Sequence, residues 1–127
     1  MLIIYSAKNG EEGEKLLQTI ETVVPEKEIT ICRTIDALSR ALRQPWSCAE
    51  IAILLTSGIK EILDILSLHD FLWDMKIILI LPDSGPDTIA KGHLLRPRFM
   101  SDCHSNFQEV AAVLKRMMEN RIPTKIS

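Results

Sequence analysis

The sequence predicts an α/β fold built on a single parallel β-sheet. Short apolar runs of strand length alternate along the chain with segments whose apolar residues recur at helical spacing. Such strict alternation is typical of a parallel sheet covered by helices. The length of 127 residues suits one domain, and 46% hydrophobic with 25% charged residues is an ordinary globular composition. We therefore expect residues 1–121 to form one domain and residues 122–127 a C-terminal tail.

Each predicted strand is followed by a predicted helix. The predicted strands are residues 2–5, 28–33, 51–55, 76–81 and 98–101. Pro25 and Pro45 end the first two helices, because proline lacks a backbone donor. Thr34 and Ser57 stand where they can cap the second and third helices.

The apolar stripes of the later helices differ in clarity. The third helix is expected to carry Ile59, Ile62, Leu63 and Leu66 on one face. Residues 87–95 predict a short helix that Gly92 interrupts. The last helix has the clearest stripe, which runs through Phe107, Val110, Ala111, Leu114, Met117 and Met118.

The composition of the strands predicts their order in the sheet. Strands one, three and four are continuous apolar runs, which is typical of central parallel strands. Strand two alternates with polar residues and strand five is short, so both belong at the edges. The order 2-1-3-4-5 follows, a flavodoxin-like three-layer α/β/α arrangement. Right-handed crossovers place the first and fifth helices on one face and the other three on the opposite face.

Charge and hydropathy argue against two classes of partner. Lys and Arg total 15 and Asp and Glu total 17, so the net charge of −2 disfavours non-specific nucleic-acid binding. The apolar stretch Ile77–Leu81 is far shorter than the roughly 20 residues that span a bilayer. The first residues lack the basic start and long apolar core of a signal peptide. We expect a cytoplasmic protein with no nucleic-acid or membrane partner.

In this topology, ligands bind beyond the carboxyl ends of the strands, near the switch between strands one and three. The polar candidates there are Ser6, Lys8, Asn9, Gly10, Thr56, Ser57, Asp83 and Asp102. The first loop would suit an anionic ligand such as a nucleotide or the phosphate of FMN at a helix N-terminus. The acidic residues at the start of the first helix would repel that ligand.

The order and lengths of the elements, and the passage from Phe99 to Phe107 (FMSDCHSNF), resemble the receiver domain of two-component response regulators over nearly the whole chain. The resemblance implies an acidic pair after strand one, a phospho-accepting Asp at the end of strand three, Ser or Thr after strand four and Lys after strand five. This chain differs at every one of these places. Its residues there are Ser6 with Ala7 or Lys8, Thr56 or Ser57, Pro82 or Asp83, and Asp102 or Cys103.

These differences predict a pseudo-receiver that is not phosphorylated. Aspartyl phosphorylation needs a carboxylate nucleophile, carboxylates that hold Mg²⁺ and a cation near the phosphoryl group. We therefore expect a non-enzymatic signalling or regulatory module that acts through protein interactions, without a metal or cofactor. The alternative is a small protein or enzyme that binds an anionic ligand at the loops after strands one and three.

A third hypothesis assigns chemistry to the loop before the last helix. Cys103 could act as a nucleophile with His104 as base, or Asp83, Asp102 and His104 could hold a metal. A polar loop that caps the last helix is the favoured interpretation, since sequence neighbours in a strand point apart. The three cysteines show no C-x-x-C spacing, so we expect them to be reduced and mostly buried.

The charge is unevenly distributed along the chain. Residues 1–28 and 29–89 each carry a net −3, whereas residues 90–127 carry seven Lys or Arg and three Asp or Glu, a net +4. The resemblance implies that this basic end is a docking or dimer surface. Its candidate residues are Lys91, Arg96, Arg98, Lys115 and Arg116. A protein partner or self-association with the acidic first helix would fit it. The apolar segment 68–73 is either core closure or a contact patch.

Overall fold

The computed structural model describes residues 2–6, 11–44, 50–102 and 107–120, and its centre is a five-stranded parallel sheet. The strands are β1 (Leu2–Ser6), β2 (Ile29–Cys32), β3 (Ile51–Leu55), β4 (Lys76–Leu81) and β5 (Phe99–Asp102). Their order is β2-β1-β3-β4-β5, and every neighbouring pair is parallel. The predicted flavodoxin-like order is confirmed, with the polar-flanked strands β2 and β5 at the edges.

Six helices accompany the sheet in the described residues. They are α1 (Glu11–Glu21), α2 (Ile35–Arg43), α3 (Ile59–Leu66), α4 (His69–Leu72), α5 (Pro86–His93) and α6 (Phe107–Asn120). A 3₁₀ turn at Glu26–Glu28 precedes β2. The sequence did not predict α4, a single helical turn between α3 and β4.

The sheet divides the core into two apolar layers, because successive strand residues point to opposite faces. Leu2 and Ile4 face α1 and α6, where they join Leu16, Ile20 and Leu114. Ile3 and Tyr5 face the other layer, which α2, α3, α4 and the end of α5 supply. The buried helical and loop residues of that layer are Leu38, Ile62, Ile65, Leu68, Leu72 and Leu95. This is the distribution of helices that right-handed crossovers predict.

Two helix starts differ in how they are capped. The Thr34 hydroxyl accepts a hydrogen bond of 2.9 Å from the Ala37 N–H, so the predicted cap of α2 is confirmed. The predicted cap at Ser57 is wrong, because α3 begins after Gly58 and the Ser57 hydroxyl donates to Glu61 instead. The predicted stripe of α3 is also wrong at Leu63. The residues nearest the sheet are Ile62 and Ile65, which leaves the Leu63 side chain 43% exposed.

Gly92 does not interrupt α5 as predicted. The helix continues to His93, and Gly92 is buried within it. A Cβ at this position would lie 3.0 Å from Leu79 Cδ2, Leu81 Cδ2 and Met100 Sδ. The missing side chain therefore lets α5 pack closely against β4 and β5.

The end of α5 leads into β5 through a tight turn. Arg96 adopts a left-handed backbone with φ of 53°, which is uncommon for a residue with a Cβ. Its N–H donates to the His93 carbonyl at 3.0 Å, and the Leu95 N–H donates to the Gly92 carbonyl at 3.1 Å. These bonds satisfy carbonyls at the helix end.

The predicted tail, residues 122–127, lies outside the described residues. Within the ranges that the structure describes, no helix is both long and apolar enough to cross a membrane.

Candidate functional site

The carboxyl ends of β1, β3 and β4 meet at one edge of the sheet. Ser6 pairs with Leu55 in the register of β1 and β3, and Leu55 pairs with Ile80 in the register of β3 and β4. Ser6 and Thr56 are both buried at this edge. The structure thus brings two of the predicted site residues, Ser6 and Thr56, to the same edge of the sheet.

The Thr56 side chain extends the hydrogen bonding of the sheet. Its hydroxyl donates to the Ile80 carbonyl at 2.8 Å, and its N–H donates to the same oxygen at 3.0 Å. Only 3% of Thr56 is exposed. The Thr56 hydroxyl therefore joins the end of β3 to β4.

A carboxylate that the sequence prediction did not include occupies the start of α3. The Ser57 N–H donates to Glu61 Oε1 at 2.9 Å, and the Ser57 hydroxyl donates to Glu61 Oε2 at 2.7 Å. The Tyr5 hydroxyl also forms a hydrogen bond with Glu61. Glu61 therefore accepts from three donors that the ends of β1 and β3 supply. The signal in the sequence is a Glu in the first turn of the helix, where a carboxylate can accept from an N–H that precedes the helix.

The environment of Tyr5 keeps its phenol neutral. Burial, as the largest cause, and the negative charges of Glu61 and Asp64 contribute to raising the pKa of Tyr5 to about 12. The hydrogen bond to Glu61 is the smallest contribution to this raised pKa, and it acts because the neutral phenol is the donor. Tyr5 and Glu61 therefore form a donor–acceptor pair at the strand ends.

Asp83 has a structural role in the loop after β4. Its Oδ1 accepts a hydrogen bond of 2.8 Å from the Gly85 N–H, which closes a turn immediately before Pro86 begins α5. Asp102, at the end of β5, is half-buried. Asp83 follows β4 as predicted, whereas Asp102 was predicted to follow strand five and is instead the last residue of β5.

The remaining predictions for this edge lie outside the described residues. They concern Lys8, Asn9 and Gly10 of the first loop and Cys103 and His104 of the last. In the described part of the chain, no three His, Cys, Asp or Glu side chains come close enough to share a metal ion.

The predicted basic residues are exposed on both sides of the edge strand β5. Lys91, Arg96 and Arg98 lie on α5 and on the turn into β5, and Lys115 and Arg116 lie on α6. The Arg96 guanidinium lies over the Trp73 ring, 5.3 Å from its centroid. A second guanidinium, that of Arg43, lies 5.4 Å from the centroid of Phe71.

A groove of about 590 Å³ opens near the start of β4, at the opposite end of the sheet from the predicted ligand site. We call it the α4–α5 groove. Its lining residues are Leu66, His69, Leu72, Trp73, Met75, Ile77, Leu94, Leu95 and Arg96. Sequence reasoning missed this groove, although the apolar segment 68–73 contributes three of the lining residues.

Segment 68–73 contributes both to the core and to the surface. Leu68 and Leu72 are buried and close one core layer. Phe71 is 42% exposed and Trp73 is 68% exposed, and Leu94 across the groove is 53% exposed. Aromatic and aliphatic side chains are therefore exposed beside the groove, on the same part of the surface as two stacked arginines.

The fold defines the class of the molecule as a flavodoxin-like α/β/α domain. Comparisons with protein-family models, with curated proteins and with solved structures found no significant match. The receiver resemblance of the sequence thus has no support from a relative.

Proposed function

We propose that this protein is a non-enzymatic interaction module of a signalling or regulatory system, a receiver-like domain that works without phosphorylation. The exposed apolar surface beside the α4–α5 groove carries this proposal. Large exposed apolar side chains that lie together and are bordered by polar groups are typical of protein-binding surfaces. Trp73 at 68% and Leu94 at 53% exposure meet this description.

The strand ends support the absence of a phosphorylation switch. Thr56 is bonded to Ile80, and Ser57 gives both its N–H and its hydroxyl to Glu61. The Glu61 carboxylate is itself held by three donors from this chain. A carboxylate with these partners is a weak nucleophile toward a phosphoryl donor.

The basic residues around β5 supply a second element of the interaction surface. Lys115 and Arg116 on α6 and Lys91 on α5 are exposed. Exposed cations on one side of an otherwise acidic chain would steer an acidic partner toward that side. A protein partner or a second copy of this chain could provide the acidic groups.

Binding of an anionic ligand at the strand ends has less support. The Ser57 N–H, which would hold such a ligand at the start of α3, already donates to Glu61. The negative charge of Glu61 would repel a phosphate at the same place. Chemistry at Cys103 and His104 stays a hypothesis that rests on the sequence.

Co-purification with matched variants tests the interaction function. The tagged protein, a Trp73→Ala variant, a Lys115→Glu/Arg116→Glu variant and an Arg40→Ala control serve as baits in cells of the source organism. Arg40 is exposed and paired with Asp36 on α2, and it is not one of the residues that line the groove. We expect a partner that the wild type and the control enrich and that at least one surface variant loses. The same proteins from all four baits, or none from any, would overturn the proposal.

A further inference from the structure

We infer that the α4–α5 groove binds a short peptide segment of a partner protein, in which acidic side chains flank one or two large apolar side chains. This inference rests on the proposed function and specifies the partner's chemistry. It concerns the end of the sheet opposite to the predicted ligand site, and it follows from the shape and charge of the groove.

The apolar part of the groove can accept large side chains. One wall of the groove comes from α3, α4 and the start of β4, and the other comes from the end of α5. The apolar residues of the first wall are Leu66, Leu72, Met75 and Ile77, and those of the second are Leu94 and Leu95. A volume of about 590 Å³ is large enough for two or three apolar side chains of a peptide. Trp73 and Leu94 expose most of their surface to water, so an inserted apolar side chain would bury them.

The surface around the groove extends beyond what a small molecule could cover. Phe71 does not line the groove, yet it is 42% exposed on the same helical turn as Leu72, which does. Phe71 and Leu94 contribute to the exposed apolar surface from separate elements. A peptide that continues out of the groove can contact both, and we therefore favour a macromolecular partner over a metabolite.

Arg96 gives the groove its preference for an acidic residue. It is one of two lining residues with an ionisable side chain, and the other is His69. Three ion pairs among the described residues join Arg40 with Asp36, Lys60 with Asp64 and His69 with Asp70. Arg96 takes part in none of these three. Its guanidinium stacks on Trp73, where it can form a bidentate pair with a carboxylate beside the inserted side chain.

The Asp70 carboxylate indicates the orientation of the peptide. Asp70 lies 3.2 Å from the Nε2 atom of His69, so its negative charge lies at the His69 side of the groove. Because this charge would repel an acidic side chain, the acidic residue of the peptide belongs near Arg96 and away from His69. Arg43, stacked on Phe71, offers a second cation for a flanking acidic residue.

Two other occupants have chemistry that fits less well. The acidic first turn of α1 in a second copy offers a weaker apolar anchor in the part of the helix that the structure describes, because Leu16 and Ile20 are fully buried and Leu17 is half-buried. The C-terminal segment 121–127 carries Arg121 and Lys125 and no Asp or Glu side chain, so its charge does not complement Arg96. A foreign acidic segment matches both the apolar lining and the cation.

An unbiased selection tests the inference. A random peptide library displayed on phage is selected against the full chain, and the enriched peptides are synthesised. We expect Asp or Glu beside Leu, Ile, Met, Phe or Trp in these peptides. Fluorescence anisotropy should show that Trp73→Ala and Arg96→Glu each weaken binding about tenfold or more, as expected for anchor residues. The Arg40→Glu control should bind like the wild type, and circular dichroism verifies the fold of each variant.

A charge reversal on both sides sharpens the test. Replacing the acidic residues of a selected peptide by lysine should weaken its binding to the wild type and restore part of its binding to Arg96→Glu. Failure to enrich peptides, peptides without acidic residues, or affinities that the two groove variants leave unchanged would overturn the inference. A Trp73-dependent dimer in light scattering would overturn it as well, since the occupant would then be a second copy.

Failure of the groove inference can be distinguished from failure of the proposed function. A cellular partner that is lost with Lys115→Glu/Arg116→Glu but kept with Trp73→Ala and Arg96→Glu would support an interaction module and overturn the groove as its docking site. A chain that captures no partner with any bait would contradict the proposed function itself.

Discussion

Ser57 holds both carboxylate oxygens of Glu61, one through its N–H at 2.9 Å and the other through its hydroxyl at 2.7 Å. With the hydrogen bond from Tyr5, this contact places a carboxylate of the chain itself where the fold usually receives a ligand. The exposed apolar surface lies at the other end of the sheet, beside Trp73. The two ends of the molecule thus have different chemical characters.

Replacing Glu61 by Gln should lower the pKa of Tyr5. The variant removes one negative charge and weakens one hydrogen bond, but the pKa should stay above its ordinary value because burial is the largest cause of the shift. Tyr5 is the single tyrosine of the chain, so an ultraviolet titration of tyrosinate reports on it alone. Glu109→Gln, on the exposed side of α6, should leave the pKa unchanged. Equal pKa values in the wild type and Glu61→Gln would show that the two side chains do not interact.

The raised pKa of Tyr5 also predicts an alkaline loss of stability. The unfolded phenol loses its proton near pH 10.0, whereas the folded one keeps it to about 12, so the folded state binds more protons in this interval. The contribution is fully present below pH 10.0 and decreases by up to about 2 kcal/mol as the pH rises toward 12. Tyr5→Phe should lack this part of the pH dependence. Urea unfolding of the wild type and Tyr5→Phe at several pH values between 10.0 and 12 measures this difference in stability. The same dependence of unfolding free energy on pH in both proteins would contradict the prediction.

Cys32 should react slowly with alkylating reagents in the folded protein. Burial raises the pKa of its thiol, and only 2% of the residue is exposed. Iodoacetamide labelling followed by peptide mass spectrometry should show slow modification in native buffer and fast modification in urea. Equal rates in the two conditions would mean that the edge strand β2 opens readily.

Gly92→Ala should destabilise the protein even though alanine favours helices. Three side chains of β4 and β5 would each have to move away from the new methyl group, and such overpacking costs about 1–3 kcal/mol. The gain in helix propensity offsets at most about 1 kcal/mol of that. Ala90→Gly on the exposed side of α5 is the control, and it should lose stability through propensity alone. A Gly92→Ala variant more stable than the wild type in urea unfolding would show that α5 does not pack this closely.

Local patterns predicted most of the fold because the dominant features of the sheet are local. Strands β1, β3 and β4 are continuous apolar runs because both of their faces are buried. Strand β2 has polar interruptions because it is only partly buried at the edge of the sheet. The Thr34 cap was predictable for the same reason, since the hydroxyl bonds a residue only three positions away. A helix as short as α4, with four residues, has no periodicity to detect.

The site was less predictable because its contacts join distant parts of the chain. Tyr5 meets Glu61 only after β1 has paired with β3 and α3 has folded back over the sheet. Side chains from α3, α4, β4 and the turn after α5 form the groove, and no spacing in the sequence brings these segments together. Leu63 was predicted to be buried but is exposed. Which residues of α3 face the sheet depends on how the helix is rotated about its axis, and this rotation is set by packing against the sheet.

Reaction with acetyl phosphate and Mg²⁺ tests most directly whether the strand ends lack a phosphorylation switch. A receiver domain with intact acidic residues serves as the positive control, and intact-mass spectrometry reads the result. Because Thr56, Ser57 and Glu61 are bonded within the chain, we expect the mass to remain unchanged while the control gains a phosphoryl group. A phosphoryl adduct on this protein would contradict the interpretation.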